Sequence, residues 1–363
     1  MTRGAPGSVE DLIARAAARL PPSVAAYLAA GSGAQVTLAE ATPAWEALRF
    51  APRVLRPVTQ VHLRDSDGLL PFGIAPATLQ RAVHPDGELA TARGAAEAGV
   101  PLVVSSNTGT PFAAIAETGV AWSLQTYLPP DRTTIEPLLA RAVAAGARAV
   151  VLTADTPVVA RKYDPVAAGV WDEIDPGWVG AELDPDPTAA PAGVPGAEGT
   201  DRFRAKATDL GPHDIGWLAE ATGLPVVVKG VLRADDAQRC FDAGAAAVWV
   251  SNHGGRQFDG AIPTARALPE VAAAGGPVHV DGGLRSARHL CAAWALGAER
   301  VFLARPVLAA LALGGAAGVR DLFLGLEAEV EEACRLLGAA RTADLVGTVV
   351  DEHHRCGSPR FDR

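Results

Sequence analysis

The sequence predicts one (β/α)8 barrel, a TIM barrel, with a helical segment before it and a long loop after its fourth strand. Eight short runs rich in Val, Ile and Leu occur between residues 72 and 305 of the 363-residue chain. These runs are apolar throughout rather than alternating, as is typical of parallel strands buried on both faces. Ala-rich helical stretches separate them, and eight strand-then-helix units over about 245 residues fit a closed barrel. A doubly wound open sheet is the alternative, which the count of eight and the lack of an early GxGxxG motif disfavour.

Residues 1–70 are predicted to form a helical segment packed on a barrel that spans residues 71–363. Ser8, followed by Asp11 and an apolar periodic run, is a typical helix start. We expect this helix to stop near the double proline at 21–22, because proline cannot continue it, and a second helix to follow.

The eight apolar runs define the predicted strands. In chain order they are "FGIAP" (72–76), "LVVSS" (102–106), "WSLQTY" (122–127), "AVVLTAD" (149–155), "VVVKG" (226–230), "AVWVSN" (247–252), "VHVDGG" (278–283) and "RVFLAR" (300–305). The stretches between them, such as "EPLLARAVAAGA" and "ADDAQRCFDAGA", are rich in helix formers, and glycine ends many of them. Each strand is therefore expected to lead into a helix.

The connection after the fourth strand is unusually long. Roughly 60 residues separate Asp155 from the next predicted helix near Asp214, and they include "DPDPTAAPAGVPGAEGT" (184–200). A segment of this composition cannot pack a core and is expected to be mobile. Because it follows a strand end, it is predicted to lie over the barrel mouth, either as a lid or as a flexible insertion.

Composition and charge exclude several classes of function. The 32 Lys and Arg residues against 41 Asp and Glu give a formal net charge of −9, with no basic run, which argues against nucleic acid or an anionic membrane as partner. The four cysteines are scattered without a CxxC pair, which indicates reduced thiols and no metal site. The first residues lack the apolar core of a signal peptide, and no apolar run approaches about 20 residues. We therefore expect a cytoplasmic enzyme.

Polar and ionisable side chains are concentrated at the carboxyl ends of the predicted strands, where TIM barrels carry their active sites. These residues are Pro76, Ser105, Gln125, Tyr127, Thr153, Asp155, Lys229, Ser251, His253, Arg256, Asp281 and Arg305. Strand ends do not need so many such groups for folding. We expect them to line one site at the barrel mouth.

The stretch "VSNHGGRQ" (250–257) has the character of an active-site turn. Histidine exchanges a proton near neutral pH, and arginine can bind a carboxylate with two hydrogen bonds. Gly254 and Gly255 allow backbone conformations that other residues avoid. The alternative interpretation is a polar loop in which Arg256 makes a surface ion pair.

Several motifs together give the chain a resemblance to a known family. They are "SNHGGRQ" (251–257), "VKGV" (228–231), "DGG" (281–283), "HPDGE" (84–88), "TADTP" (153–157) and "LPPSVAAYLAAGS" (20–32). With them the chain resembles, from about residue 8 to about residue 350, the FMN-dependent enzymes that oxidise 2-hydroxy acids: glycolate oxidase, lactate oxidase, mandelate dehydrogenase and flavocytochrome b2. The resemblance implies an FMN cofactor, an L-2-hydroxy acid substrate, oxygen or another electron acceptor, and a homo-oligomer (tetramer or octamer).

The resemblance also implies catalytic and substrate-binding roles. His253 would be the general base, and Asp155 would hold its imidazolium by charge. Arg256 would bind the substrate carboxylate. Tyr27 and Tyr127 match the family's two active-site tyrosines and would donate hydrogen bonds to the carboxylate and the hydroxyl. Without the resemblance, Tyr27 would be interpreted as a core aromatic of an amphipathic helix.

The implied FMN contacts come from most of the strand ends. Lys229 would lie by the N1–C2=O edge of the flavin and stabilise the anionic reduced ring. The remaining contacts implied by the resemblance are Ala75, Pro76, Ala77, Ser105, Gln125, Thr153, Ser251, Asp281, Gly283, Arg285, Ala304 and Arg305. Arg305 alone would be interpreted as a surface charge, but Arg-Pro opening a helix beside a glycine-rich turn suits an anion site.

The sequence departs from the family pattern at three positions. Lys162 stands where a second arginine is usual, and its neighbour Arg161 is expected to point elsewhere; a lysine offers a point charge instead of a fork to a carboxylate. Thr78 stands where Ala or Gly is usual next to flavin N5, which leaves oxidase and dehydrogenase open. Asn107 replaces a bulky aromatic of some members and is expected to contact the substrate side chain.

The sequence is also consistent with three other functions. Lys229 at a barrel strand end would also suit a non-redox, aldolase-like enzyme that forms a Schiff base. A flavin-binding protein without turnover would share the same cofactor residues. Lys162 would be consistent with a flavin enzyme whose substrate lacks the carboxylate.

Overall fold

The computed structural model describes residues 8–182 and 206–350, which form a closed parallel barrel of eight strands surrounded by helices. The barrel strands are β2 (Phe72–Ile74), β3 (Leu102–Ser105), β4 (Trp122–Thr126), β5 (Val150–Thr153), β6 (Val226–Val231), β7 (Ala247–Val250), β8 (Val278–Val280) and β9 (Arg300–Leu303). They pair in chain order, and β9 closes the barrel on β2. The predicted fold class is confirmed, and each of the eight apolar runs coincides with one strand, of which only β6 extends one residue beyond its run.

Helices follow the strands as predicted. In chain order the described helices are α1 (Val9–Ala17), α2 (Pro22–Ala29), α3 (Val36–Glu46), α4 (Gln80–Val83), α5 (Gly87–Ala98), α6 (Phe112–Ala116), α7 (Glu136–Ala144), α8 (Pro165–Ala168), α9 (Val170–Glu173), α10 (His213–Thr222), α11 (Ala234–Asp242), α12 (Thr264–Ala272), α13 (Ala287–Ala295) and α14 (Arg305–Leu337). Single 3-10 turns span Arg132–Ile135, Pro176–Trp178 and Thr342–Leu345.

The first helix begins after Ser8 as predicted but ends at Ala17, a few residues before the double proline, and Pro22 is the first residue of α2. Ser8 and Asp11 form a capping box, in which each side chain accepts a hydrogen bond from the other residue's backbone N–H at 3.1 Å. Helix α1 contacts α14, and α2, which carries Tyr27, contacts α8 and α9. The fully buried Trp45 of α3 donates its indole N–H to the carbonyl of Gly282 at 2.8 Å. A short antiparallel pair, β1 (Arg49–Phe50) with β10 (Val349–Val350), joins the segment after α3 to the last described residues.

The lower part of the barrel interior is filled by aromatic and branched side chains. Trp249 of β7 stacks on Phe302 of β9 with ring centroids 4.1 Å apart, and Val103, Val151 and Val227 pack in the same cluster. The barrel is therefore a packed core at this end, and only its opposite end, at the carboxyl termini of the strands, is open to form a site.

Helix α14 is long and apolar enough, by length and composition alone, to cross a membrane, and no other described helix is. The sequence predicted no membrane-spanning segment because no uninterrupted apolar run approaches about 20 residues. In α14 the apolar residues are interrupted by Arg320 and Asp321. The helix departs from helical geometry at Gly315, where φ is +53°. It buries Val319 and Phe323 and contacts α5 and α13, so it lies against the barrel like the other helices.

The long connection after β5 is described only in part. Residues 154–182 contain α8, α9 and one 3-10 turn. The segment 184–200, predicted as a lid or a flexible insertion, lies outside the described residues.

Candidate active site

The predicted site residues surround one cavity of about 520 Å³ at the carboxyl ends of the barrel strands. Those that line it are Tyr27, Ala75, Pro76, Ala77, Ser105, Asn107, Gln125, Tyr127, Thr153, Lys162, Lys229, His253, Arg256, Asp281, Gly283, Arg285, Ala304 and Arg305. Asp155 and Ser251 stand behind the lining, where they hydrogen-bond His253 and Lys229 respectively. The carboxyl ends of all eight barrel strands, together with α2, therefore contribute residues to one site.

The turn after β7 owes its shape to consecutive left-handed residues. His253, Gly254 and Gly255 have φ values of +57°, +64° and +75°. A Cβ at Gly254 would lie 2.9 Å from a guanidinium nitrogen of Arg305, and a Cβ at Gly255 would lie 2.8 Å from the backbone nitrogen of Leu38. Only glycine fits both conditions, and the turn it permits places His253 and Arg256 in one cavity.

His253 is held by an acid. Its Nδ1 lies 2.9 Å from Asp155 Oδ1, and the hydroxyl of Thr156 donates to the same oxygen at 3.0 Å. Burial raises the pKa of Asp155, but the His253 imidazole and the Lys229 ammonium outweigh it and hold that pKa below its ordinary value. An ionised Asp155 accepts a hydrogen bond from the Nδ1–H of His253, which leaves Nε2 as the nitrogen that can take a proton from another molecule.

Lys229 is buried in an ion pair. Its ammonium donates to Ser251 Oγ at 2.7 Å and lies 3.1 Å from Asp281 Oδ2. Ser251 Oγ donates to Asp281 Oδ1 at 2.6 Å and accepts the backbone N–H of His253 at 3.1 Å. Ser251 therefore uses all its hydrogen-bonding capacity, and it connects the lysine to the histidine turn.

Two guanidinium groups form an anion site beyond β8 and β9. Burial, together with the charges of Arg256 and Arg285, lowers the pKa of Arg305 to about 9. No carboxylate in the described part of the chain forms an ion pair with Arg285 or Arg305. Both arginines therefore carry a charge without a counter-ion in a buried position. The N-terminus of α14, which begins at Arg305, adds the positive end of its helix dipole.

The loop that carries Arg285 is fastened by a neutral histidine. The backbone N–H of Arg285 donates to His289 Nδ1 at 3.1 Å. Burial, assisted by the nearby Arg288 and Arg285 charges, lowers the pKa of His289 to about 4, so the ring is neutral near pH 7 and free to accept this bond. No sequence motif indicates this contact.

The residues present fit FMN. Ser105, Gln125, Thr153 and Lys229 stand side by side on adjacent strands, since Ser105 pairs with Gln125 and Thr153 pairs with Lys229 in the barrel registers. Gln125 Nε2 donates to Thr153 Oγ1 at 2.9 Å. This wall offers hydrogen-bonding groups and an ammonium to a polar ring edge. Arg305 donates to the carbonyls of Leu28, Gly254 and Ala30, and Arg285 donates to that of Leu284. Neither guanidinium forms an ion pair with a described carboxylate, so their charges suit a single phosphate.

The opposite side of the cavity carries Arg256 and the two tyrosines. Arg256 Nη1 donates to the carbonyls of Tyr27 and Ala30 at 2.7 and 2.9 Å, and its guanidinium lies over the Tyr27 ring at 4.6 Å. Arg256 is thus fixed in the cavity wall, in contrast to the alternative of a surface ion pair. Burial, with the Asp155 charge adding to it, raises the pKa of the Tyr127 phenol, so its hydroxyl remains a donor.

The three departures from the family pattern also lie at the cavity. Lys162 lines it and is half-buried, whereas Arg161 is exposed, as expected. The Thr78 hydroxyl donates to the carbonyl of Asn107 at 3.2 Å, so these two departures contact one another. Burial, with the Arg256 charge adding to it, lowers the pKa of Lys162.

Sequence reasoning missed several residues of the cavity. Thr156 contacts both members of the His253–Asp155 pair, and it lies inside the "TADTP" motif, which would have identified it. Trp171 stands edge-on to Tyr27 with ring centroids 5.8 Å apart. Lys206 lines the cavity from just beyond the undescribed part of the long connection, and no motif contains it. No cluster of metal-ligating side chains occurs in residues 8–182 and 206–350.

Comparison with known proteins agrees with this geometry. The family model described as FMN-dependent dehydrogenase matches residues 16–352. An L-lactate oxidase of Nostoc sp. is 39% identical over 88% of this chain and 91% of its own. A 4-hydroxymandelate oxidase of Amycolatopsis orientalis is 39% identical over 92% of this chain and 96% of its own. The crystal structure of mandelate oxidase with (S)-4-hydroxymandelic acid superposes with a TM-score of 0.84 at 36% identity, over 94% of this chain and 98% of that one.

Proposed function

This chain belongs to the FMN-dependent dehydrogenase family, and we propose that it oxidises an L-2-hydroxy acid to the 2-oxo acid and passes the electrons to oxygen. It is an oxidoreductase that acts on a CH–OH group with FMN as cofactor. Lactate and 4-hydroxymandelate, which name two of its relatives, are both 2-hydroxy acids, and both relatives are oxidases. These names support oxygen as the acceptor here.

One observation carries the proposal: the His253–Asp155 pair, 2.9 Å apart, shares a cavity with Arg256 and the Lys229–Asp281 pair. Oxidation of an alcohol carbon removes two electrons and two protons. His253 Nε2 is the base for the hydroxyl proton, and Asp155 stabilises the imidazolium that results. FMN, when bound, would supply the acceptor for the two electrons and for the hydrogen of the alcohol carbon.

The remaining groups bind and orient the substrate. Arg256, fixed by the carbonyls of Tyr27 and Ala30, offers a positive charge to the substrate carboxylate, with Lys162 close by. The Tyr127 hydroxyl donates a hydrogen bond, because its raised pKa keeps it protonated. The Lys229 ammonium, held by Ser251 and Asp281, presents a fixed positive charge on the cofactor side.

The alternatives from the sequence are not favoured. A Schiff-base enzyme needs a neutral lysine amine, whereas Lys229 is an ammonium paired with Asp281 at 3.1 Å. A flavin-binding protein without turnover would not need a histidine base, His253, held by Asp155 beside the Arg256 guanidinium. A substrate without a carboxylate would leave the Arg256 charge in the cavity without a counter-ion.

Anaerobic flavin bleaching tests the proposed reaction. The purified holoenzyme is mixed without air with glycolate, L-lactate and (S)-mandelate, and flavin absorbance is followed. We expect at least one acid to bleach the flavin, and air to restore its colour with one equivalent of hydrogen peroxide. Reoxidation by a dye but not by oxygen would make the protein a dehydrogenase, and failure of the wider class of 2-hydroxy acids to bleach it would refute the function.

A homo-oligomer and a cytoplasmic location are further proposals. Val158, Val159, Tyr163 and Phe258 expose large apolar surface, between 64% and 79% of each side chain, on two adjoining loops. Such a patch supports burial against another copy of the chain. Light scattering is expected to give the mass of a tetramer or an octamer, and a monomer would contradict this. Support for the cytoplasmic location comes from the cysteines: the three in the described part of the chain, Cys240, Cys291 and Cys334, are free thiols.

A further inference from the structure

The cavity contains more positive charge than FMN and one carboxylate account for. Arg285 and Arg305 suit the phosphate, Lys229 is paired with Asp281, and Arg256 with Lys162 suits the substrate carboxylate. Lys206 lines the same cavity and has no part in this assignment.

The placement of the lysines is selective. The sequence has three lysines among its 32 lysines and arginines, and these three are Lys162, Lys206 and Lys229. All three line the cavity. The other 29 of these residues are arginines, so every lysine of the chain lies at this cavity, where a compact charge suits an anionic ligand.

Lys206 is held in position although no carboxylate pairs with it. The backbone N–H of the next residue, Ala207, donates to the carbonyl of Leu128 at 2.8 Å, and Ala207 is buried. The Lys206 ammonium lies 3.6 Å from the centroid of the Tyr127 ring. Among residues 8–182 and 206–350, no acidic side chain forms an ion pair with Lys206 or with Lys162. A half-buried ammonium without a counter-ion costs free energy that a bound anion would offset.

Lys162 and Lys206 are close enough to influence one another. Burial lowers the pKa of Lys206 to about 8, with the Lys162 charge adding to this and the Asp155 charge opposing it. Burial, with the Arg256 charge adding to it, in turn lowers the pKa of Lys162. Arg256, Lys162 and Lys206 all line one cavity, so Lys206 adds a cationic position to that of the proposed carboxylate site. The apolar side chains of Leu128, Val159, Trp171 and Val179 line the same cavity.

We propose that Lys206 binds a second carboxylate at the far end of the substrate, so that the preferred substrate is a 2-hydroxy acid with an acidic side chain. This inference rests on the proposed function and narrows it from 2-hydroxy acids in general to 2-hydroxy dicarboxylic acids. Lys206 is a specificity residue here: it contacts the end of the substrate that does not react.

Paired substrates and paired variants test the proposal. L-2-hydroxyglutarate and L-2-hydroxypentanoate differ in that a terminal carboxylate replaces a methyl group. In the holoenzyme we expect kcat/KM for anaerobic flavin reduction to be at least about tenfold higher for the diacid. Lys206→Met should reduce the ratio of kcat/KM for the diacid to kcat/KM for the monoacid to near one. Lys206→Arg should retain most of that ratio. Arg93→Met, which removes an exposed charge from α5, is the control for net charge and should leave the ratio unaltered.

The preference should also depend on pH. The ammonium form of Lys206, which faces Asp155, Lys162 and Tyr127, predominates below its pKa of about 8, and a bound carboxylate favours that form further. Preference for the diacid is therefore expected at pH 7 and should decline as pH rises above 8. In Lys206→Arg the guanidinium stays charged, so the preference should persist to pH 9.5.

Calorimetric binding of 2-oxoglutarate, the diacid product, separates this proposal from the proposed function. We expect Lys206→Met to weaken that binding at least about tenfold whether or not any substrate is oxidised. If binding and the substrate ratio are both unaltered in Lys206→Met while monoacids still bleach the flavin, the second carboxylate site is refuted and the proposed function stands. If no acid bleaches the flavin but product binding weakens as expected, the proposed function fails and the site remains.

Discussion

Replacement of His253 by asparagine is expected to slow reduction of bound FMN by a 2-hydroxy acid about 10²- to 10⁴-fold while FMN stays bound. This corresponds to about 2.7–5.4 kcal/mol of transition-state stabilisation. The imidazole is held through Nδ1 by Asp155 at 2.9 Å, so it is oriented to take a proton at Nε2, and none of its described contacts belongs to the anion site of Arg285 and Arg305. Rapid mixing under anaerobic conditions measures the rate, and flavin absorbance of the purified variant measures retention.

Asparagine is the informative replacement because His253 has φ of +57°. Asparagine tolerates this left-handed conformation better than alanine does, so the turn and the position of Arg256 should survive. His62→Asn, at an exposed histidine far from the cavity lining, is the matched control and should keep the normal rate. A reduction rate near normal in His253→Asn would remove His253 from the role of base.

The barrel was predictable from sequence because burial on both faces leaves a local pattern. Each strand is a run of apolar residues bounded by glycine or polar residues, so all eight could be found one by one. Their position at strand ends predicted that Asp155 and His253, 98 positions apart, would belong to one site, and the family resemblance implied that Asp155 holds the imidazolium. The glycine-rich turn was recognisable for the same local reason, since only glycine accepts those backbone angles.

Other parts of the site depend on contacts that leave no local pattern. Lys206 follows a segment without periodicity, and its position is set by the bond between Ala207 and Leu128, far apart in the chain. His289 looks like any helical histidine in the sequence, yet it accepts the backbone N–H of Arg285 and fastens the anion site. The sequence identified the cations of Lys162 and Arg256 but could not show that a third lies beside them.

Gly230→Ala is expected to lower the rate of flavin reduction at least about 100-fold, although it replaces no residue that would contact the substrate. Gly230 has φ of +108°, where an L side chain is strained, and it lies at the bulge between β6 and β7. A Cβ there would lie 2.6 Å from Cβ and 2.8 Å from Cγ of Asp155. Since real Cβ atoms do not approach so closely, Asp155 must move, and its hold on His253 Nδ1 is lost.

Two measurements distinguish displacement of Asp155 from general damage. Gly216→Ala, in the middle of α10 where an added Cβ meets nothing within 4 Å, should retain activity and gain up to about 1 kcal/mol in the free energy of unfolding. Gly230→Ala should lose about 1–3 kcal/mol of that free energy through backbone strain and still fold and bind FMN. Its reduction rate should resemble that of Asp155→Asn, and combining the two changes should cost little more than either alone, because both act by removing the same contact. A Gly230→Ala variant that folds, binds FMN and reduces it at the normal rate would show that the position of Asp155 does not control the base.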